Sequence, residues 1–276
     1  MNTHDYDLVV AYRIYPKVSG KPALYGHNKL QLSEFCLRSF KKSLGLLRTK
    51  MYVILDGCQQ EYEELFRKYF DYSDLEFIKL NGVGNHATFS LQVKILTEQK
   101  ESDIVYFAED DYFYIADKFK EMIDFIKNNP TAHFVTPYDH LDYYTIDLHS
   151  NRVKIAFYGK RHWRTASSTC LTFLTTKEIL LKTKHVLLSY ERGNLDVSMW
   201  LSLTKYDVLN PFRILRYLLK CRVFAYYVLI AWRYCWIQIV FKREWNLWCP
   251  VPSIATHIDE RFLAPTIGKT ILTKEI

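Results

Sequence analysis

Hydrophobic residues in the first part of the chain follow two alternating patterns. Short uninterrupted apolar runs predict strands that are buried on both faces, and apolar residues spaced three and four apart predict helices between them. Strands are predicted at 7–12, 51–55, 75–80 and 104–108, and helices at 29–44, at 59–70 and after the turn 81–85. This alternation predicts an α/β fold whose central sheet is mainly parallel, with helices on both faces.

The alternation becomes irregular after residue 116. Asp117 is predicted to cap a helix that ends at Asn128-Asn129-Pro130. The remaining predicted elements are strands at 133–136, 153–158 and 168–175, a short helix at 178–183 and a helix at 195–204. Such a loss of regularity is expected where a substrate-binding region follows a nucleotide-binding half.

Residues 211–248 form a cationic and apolar stretch unlike the rest of the chain. A membrane-spanning helix needs about twenty apolar residues, and a central charge such as Arg233 costs roughly 2.5 to 3.5 kcal/mol on insertion scales. We therefore predict two shorter helices, joined near 220–222, that lie on a membrane surface. The alternative is a helical flap packed on the domain or on a second copy of the chain.

Composition narrows the possible partners and the compartment. The 276 residues carry a net charge of +7, which suits an anionic partner such as a nucleotide or a phospholipid surface. No nucleic-acid-binding motif is visible, so no nucleic-acid partner is expected. The six cysteines form neither a disulfide framework nor a zinc pattern, and no signal peptide is visible, which together predict a cytoplasmic protein.

Three adjacent carboxylates, Glu109, Asp110 and Asp111, follow the predicted strand 104–108. Open α/β sheets bind ligands just outside the carboxyl ends of their strands. Three neighbouring negative charges repel one another, and a hard divalent cation with oxygen ligands is a natural counter-charge. We therefore expect a Mn²⁺ or Mg²⁺ ion here, which would in turn hold a diphosphate. The alternative is a solvated acidic turn.

A nucleotide-binding half that ends in an acidic triplet resembles the GT-A fold glycosyltransferases, in particular the family 2-like enzymes. The resemblance covers about residues 7–204 and 250–258 and departs from the usual pattern in having Glu109 where the family has Asp. It implies a metal-dependent glycosyltransferase that moves a sugar from a UDP- or GDP-sugar to a glycan or lipid-linked acceptor, in bacterial-type surface polysaccharide synthesis.

The resemblance also implies roles for individual residues on the donor side. Asp111 matches the metal ligand, and a late histidine, His257, matches a second one. The positions that match nucleotide contacts are Tyr12, Arg13, Asp56, Asn85, Glu109 and Asp110. Two alternatives stay open, since Asp56 could simply form a turn before Gly57, and His257 could be a hydrogen-bonded, partly buried residue.

On the acceptor side, Asp196 matches the residue that would take the proton from the acceptor hydroxyl, with Glu191 in reserve. The alternative for Asp196 is a place in the first turn of a helix that Asn194 caps. Arg161, Trp163 and Arg164 suit a phosphate-bearing acceptor with a sugar stacked on the indole. The alternative for these three is a basic loop with one packed tryptophan.

The resemblance divides the chain into a catalytic domain and two appended segments. Residues 1–210 would form the catalytic domain, with 7–115 as its nucleotide-binding half and 116–210 as its acceptor-binding half. Residues 211–248 would attach the protein to the inner face of the membrane, and 249–276 would return a strand and tail to the active site. No oligomeric state is predicted.

Three other functions compete with this prediction. A nucleotidyltransferase that makes nucleotide sugars usually has a glycine-rich basic loop after its first strand, whereas residues 12–16 here read Tyr-Arg-Ile-Tyr-Pro. A phospho-acceptor signalling domain also clusters carboxylates at strand ends but is usually about half as long. A non-catalytic subunit of a membrane assembly is the third.

Overall fold

A large sheet forms the centre of the molecule. The structure, a computed structural model, describes residues 5–18, 20–149 and 153–274. Within these residues, nine strands form one mixed sheet in the order β3-β2-β1-β4-β9-β6-β10-β8-β7, and β11 pairs separately with β5. The strands are β1 (Leu8–Ile14), β2 (Thr49–Asp56), β3 (Leu75–Leu80), β4 (Ile104–Glu109), β5 (Tyr112–Tyr114), β6 (Phe134–Val135), β7 (Ile155–Tyr158), β8 (Arg161–Ala166), β9 (Phe173–Thr176), β10 (Leu247–Val251) and β11 (Ala255–His257).

Most strands of the large sheet run in one direction. β1 is parallel to β2 and β4, and β2 is parallel to β3. β9 is antiparallel to both β4 and β6, β6 is parallel to β10, and β8 is antiparallel to β10 and β7. Only β8 and β9 are therefore reversed in this sheet, and the predicted mainly parallel α/β fold is confirmed.

Helices cover both faces of the sheet, as predicted. They are α1 (Lys29–Leu44), α2 (Gln60–Tyr69), α3 (Asn85–Glu98), α4 (Phe119–Asn128), α5 (Asp142–Thr145), α6 (Lys177–Leu187), α7 (Asp196–Thr204), α8 (Pro211–Lys220), α9 (Arg222–Phe241) and α10 (Lys269–Lys274). Alternate residues of β1 enter two different cores, because successive side chains of a strand point to opposite faces. Val10 and Tyr12 pack with α1, α2 and α4, whereas Val9 and Ala11 pack with α3, α6 and α7.

Three predicted elements differ in the structure. Asp117 does not cap α4: its φ is +57°, and Lys118 occupies the cap position instead. The predicted strand 168–175 is shorter and begins only at Phe173. No strand was predicted at 161–166, yet these residues form strand β8, in which the buried Arg161 and Trp163 alternate with more exposed residues.

The segment 211–248 contains two helices separated at Cys221, as predicted. By length and composition, α9 is the one helix of the described residues that could cross a membrane. One of its faces, however, packs against α7 and α8 in a cluster that includes Val228, Ala231 and Ile239. α9 is also kinked at Cys235, whose φ of −133° and ψ of 26° are not helical.

Candidate active site

A cleft of about 470 Å³ lies where β1, β2 and β4 leave the sheet. Parallel strands bring their carboxyl ends to one edge, so residues far apart in sequence meet there. Six of the predicted site residues line the cleft, namely Arg13, Asp56, Asn85, Glu109, Asp110 and Asp111. The structure therefore brings most of the predicted donor side together.

Each carboxylate of the triplet has a cationic partner from the protein. Glu109 Oε1 accepts from Arg13 at 2.5 Å, and its Oε2 accepts from Thr172 Oγ1 at 2.8 Å. Asp110 lies 2.7 Å from the Lys29 ammonium, and Asp111 lies 3.1 Å from His257 Nε2. Because Asp110 is only 8% exposed, the triplet is not a solvated turn. Arg13, Lys29 and His257 thus supply much of the positive charge that a metal ion was expected to provide.

The pairing of Asp111 with His257 favours charge on both groups. Burial opposes ionisation of Asp111, but the charge and hydrogen bond of His257 outweigh burial and lower the Asp111 pKa well below its usual value. Burial likewise opposes protonation of His257, yet Asp111 raises its pKa to about 9. At Asp110 burial dominates over Lys29 and raises the pKa of the carboxyl.

Arg13 lies at the centre of a hydrogen-bonded network. Besides Glu109, its guanidinium donates to the backbone carbonyl of Asn85 at 3.1 Å and to the Asn85 side-chain oxygen. The Asn85 amide group then donates to the Tyr190 hydroxyl at 2.9 Å. Arg13 is thus held in one orientation at the cleft wall by β4, by the start of α3 and by the segment after α6.

Asp56 shapes the turn that forms one wall of the cleft. Its two oxygens accept hydrogen bonds from the backbone amides of Val83 at 2.8 Å and Gly84 at 2.9 Å, and the residue is only 3% exposed. The carboxylate therefore organises the turn 81–85 rather than the turn at Gly57. Its predicted contact with a base or ribose stays a prediction.

Tyr12 does not lie in the cleft. Its ring is 1% exposed and contacts Phe40 and Phe66 beneath the sheet, with centroid distances of 5.9 and 5.2 Å. The reason is the strand alternation, which turns Tyr12 to the core and its neighbour Arg13 to the cleft. A role for the Tyr12 side chain in binding a nucleotide base does not fit this position.

The three residues proposed for the acceptor occupy strand β8. Trp163 is 1% exposed and stacks on Phe125, with centroids 4.1 Å apart, so its indole is not available to a sugar. Arg161 is buried and bonds to Glu121 at 2.8 Å, with a further bond to a backbone carbonyl. Arg164 lies over the Tyr144 ring at 5.0 Å. The packed-tryptophan alternative fits Trp163, and the acceptor prediction does not.

Asp196 is the first residue of α7 and is partly exposed. Its Oδ1 accepts from the Val197 amide at 2.7 Å, while Asn194 bonds to Leu195 and Ser189 and does not cap α7. Burial raises the pKa of Asp196, the charge of Glu109 raises it further, and Arg13 opposes them. Asp196 therefore lies near enough to Glu109 and Arg13 for their charges to affect its ionisation, and its role as the base stays a prediction. Glu191 is exposed in the turn before α7.

Three residues of the site were missed by sequence reasoning, namely Lys29, Thr172 and Tyr190. Lys29 did leave a signal, because it opens α1 where the helix dipole disfavours a cation and where no acidic residue occurs in the first turn. Its pairing with Asp110 explains that position. Thr172 and Tyr190 left no comparable signal, since only the folded chain brings them to Glu109 and Asn85.

No group of three or more His, Cys, Asp or Glu side chains in the described ranges forms a ready metal centre. Asp111 and His257 nevertheless face each other at the rim of the cleft. Mg²⁺ is commonly held by one or two protein ligands together with substrate phosphates and water. Once His257 gives up its proton, its imidazole and the Asp111 carboxylate could both ligate an ion that arrives with a diphosphate, and metal binding stays a prediction.

Comparison with known proteins found similarity among solved structures alone. No protein-family model and no curated protein matches the chain. Staphylococcus aureus TarS (residues 1–349) is 14% identical with a TM-score of 0.43, over 71% of this chain and 55% of that one. The galactosyltransferase LgtC, in complex with donor and acceptor sugar analogues, is 12% identical with a TM-score of 0.37, over 73% and 65%. A cytidylyltransferase from Leptospira borgpetersenii is 14% identical with a TM-score of 0.37, over 69% and 72%.

Proposed function

We propose that this protein is a metal-dependent glycosyltransferase that moves a sugar from a UDP- or GDP-sugar to a glycan or lipid-linked acceptor. The observation that carries the proposal is the convergence, at one cleft, of an acidic triplet and two fixed cations, with the Asp196 carboxylate near enough to sense the charges of Glu109 and Arg13. Arg13 and Lys29 line the cleft beside Glu109, Asp110 and Asp111. A nucleoside diphosphate needs cations for its phosphates and acceptors for its ribose, and this cleft offers both.

On the donor side, Arg13 and Lys29 would face the diphosphate, and Glu109 the ribose. Asp111 and His257 would hold a Mn²⁺ or Mg²⁺ ion, which would supply positive charge to the departing diphosphate. Asp56 keeps the turn 81–85 in place through the Val83 and Gly84 amides. Asn85, in that turn and bonded to Arg13, would contact the donor sugar.

On the acceptor side, Asp196 would take the proton from the attacking hydroxyl. The hydroxyl oxygen forms a bond to the anomeric carbon, the bond from that carbon to the diphosphate oxygen breaks, and the proton moves to the Asp196 carboxylate. The raised pKa of Asp196 makes it a better proton acceptor than an ordinary solvent-exposed aspartate. Glu191 is the reserve candidate for this role.

We place the enzyme in the cytoplasm, at the inner face of the membrane, in the synthesis of a surface polysaccharide. α8 and α9 carry the apolar and basic residues that would attach it there. Their buried faces belong to the protein core, so peripheral attachment fits them better than a crossing.

Thermal melting with Mn²⁺ and a panel of UDP, GDP and CDP tests the donor side. A ligand present at one hundred times its dissociation constant stabilises by about 2.7 kcal/mol, which corresponds to a rise in melting temperature of about 5 to 10 °C. We expect this rise with one nucleotide and only when the metal is present. Failure of every nucleotide under manganese would refute the proposal.

Two variants and a control separate the roles. Asp111→Asn should lose the metal-dependent rise, and Asp196→Asn should keep it while sugar transfer falls at least about 100-fold. The exposed Asp71→Asn, away from the cleft, should change neither. Incubation with CTP and a sugar phosphate tests the nucleotidyltransferase alternative, since release of pyrophosphate and formation of a nucleotide sugar would support that class instead.

A further inference from the structure

A second cleft, of about 980 Å³, lies beside the kink of α9 and is lined by cations. Its basic residues are Lys182, His185, Arg192, Arg233, Lys242 and Arg243, and no carboxylate lines it. They come from α6, from the turn before α7 and from the second half of α9 with the residues after it. We refer to this group as the basic cleft.

The basic cleft holds more positive charge than the protein neutralises. Lys182 pairs with Glu178, and Arg243 packs over the Trp245 ring at 4.7 Å. For Arg192, Arg233 and Lys242, the described part of the chain offers no ion pair with a carboxylate. His185, Arg192 and Lys242 line the same cleft, and the two neighbouring charges add to burial in lowering the pKa of His185. An anionic ligand would relieve this repulsion.

Apolar side chains project into solvent along α8 and α9, and two of them, Trp236 and Ile237, line the basic cleft. On α9 the exposed apolar residues are Val223, Tyr226, Leu229, Trp236, Ile237, Val240 and Phe241. On α8 they are Phe212, Leu215, Leu218 and Leu219. Phe212 is 83% exposed and Phe241 is 70% exposed. A soluble protein seldom exposes so many large apolar residues on adjacent helices unless a partner covers them.

We propose that the basic cleft binds the phosphate group of an anionic membrane lipid while the exposed apolar residues of α8 and α9 enter the bilayer interface. Helices that lie in an interface combine these two features, with cations at the level of the headgroups and apolar residues below them. Nucleic acid also binds cationic clefts, but it gives no use to Leu229, Ile237 and Val240. A lipid uses the cations and the aliphatic residues together.

The basic cleft is connected to the proposed active site through one segment, residues 189–196. Cys235, at the kink, lies 3.5 Å from Ser189 Oγ and 3.6 Å from Asn194 Nδ2. The same segment carries Tyr190, which bonds to Asn85 in the first cleft, and ends at Asp196. If the proposed function holds, a lipid phosphate in the basic cleft would lie on the side of the protein that presents the base to a lipid-linked acceptor.

Sedimentation of the full chain with vesicles tests the proposal without any assay of transfer. Phosphatidylcholine vesicles are compared with vesicles that also contain phosphatidylglycerol, at low and at high salt. We expect binding to the anionic vesicles only, weakened by salt. Reversing two exposed cations, in Arg233→Glu/Lys242→Glu, should lower binding at least about tenfold.

Two further variants complete the test. Lys94→Glu/Lys127→Glu makes the same change of net charge on α3 and α4, away from the basic cleft, and should bind anionic vesicles like the unchanged protein. Trp236→Ser/Phe241→Ser should weaken the binding that persists at high salt, since it removes apolar contacts. Melting with and without Mn²⁺ and nucleotide reports whether the first cleft is intact in each variant, so the two proposals can fail separately.

Three outcomes would overturn the proposal. The first is equal loss of binding in both charge-reversed variants, which would show an effect of net charge alone. The second is absence of vesicle binding together with a melting shift in inorganic phosphate, which would assign the basic cleft to a soluble anion. The third is absence of vesicle binding together with binding of a single-stranded oligonucleotide that Arg233→Glu/Lys242→Glu abolishes.

Discussion

Replacing Lys29 with methionine isolates the contribution of the buried ion pair beneath the cleft. Lys29 Nζ and Asp110 Oδ2 are 2.7 Å apart, and the two side chains are 6% and 12% exposed. The variant would leave the Asp110 charge buried between Glu109 and Asp111 with its nearest cation removed. Breaking such a pair costs about 3 to 5 kcal/mol, a large part of the stability of an average domain. We expect urea denaturation to show a loss of this size.

A second ion pair of nearly the same length provides the control. Lys118 and Glu121 lie 2.8 Å apart, but their side chains are 40% and 34% exposed. Lys118→Met should cost at most about 1 kcal/mol, because water screens an exposed pair. Adding Asp110→Asn to Lys29→Met should recover part of the loss, since no unpaired charge then stays buried. Equal losses for Lys29→Met and Lys118→Met would refute the argument from burial.

Three further predictions concern other parts of the molecule. Trp163→Ala should lower the free energy of unfolding by about 3 to 5 kcal/mol. Trp236 is half-exposed, so Trp236→Ala should lower it by less than about 1 kcal/mol. Similar urea midpoints for the two variants would contradict the core position of Trp163. Burial, with a further contribution from His140, lowers the pKa of His149 from 6.5 to about 4. The unfolded chain therefore binds the proton more readily, and His149 by itself lowers stability by about 2 kcal/mol between pH 7 and pH 5. His149→Asn should remove this contribution in urea titrations at the two pH values. Asp56→Ala should speed hydrogen exchange at the Val83 and Gly84 amides, and unchanged exchange would contradict the role given to Asp56.

The first half of the fold could be predicted because its pattern is local. Residues 8–12 of β1 are a continuous apolar run, and the spacing of apolar residues defines α1 from Lys29 to Leu44. The break at Cys221 could also be predicted, because charged residues on either side of it fall on opposite faces of a single helix. In each case neighbouring residues carry the information.

The second half of the fold could not be predicted in this way, because it depends on contacts between segments that are distant in the sequence. Strand β8 was not predicted, because a buried arginine can be recognised only once its partner, Glu121, is in place. Tyr12 was assigned to the cleft because the end of the strand was identified correctly but the face on which each side chain lies was not. Conversely, His257 was expected at Asp111 only by resemblance, and β11 brings it there by pairing with β5.

The position of strand β10 determines when the sheet can form while the protein is being translated. It lies between β6 and β8, both of which precede it by more than eighty residues. A nascent chain emerging from the ribosome therefore cannot complete this sheet until residue 251 has been made, and the gap between β6 and β8 stays exposed during that time. Stop codons or proteolytic cuts placed before β10 should yield aggregating fragments rather than a folded half of the domain.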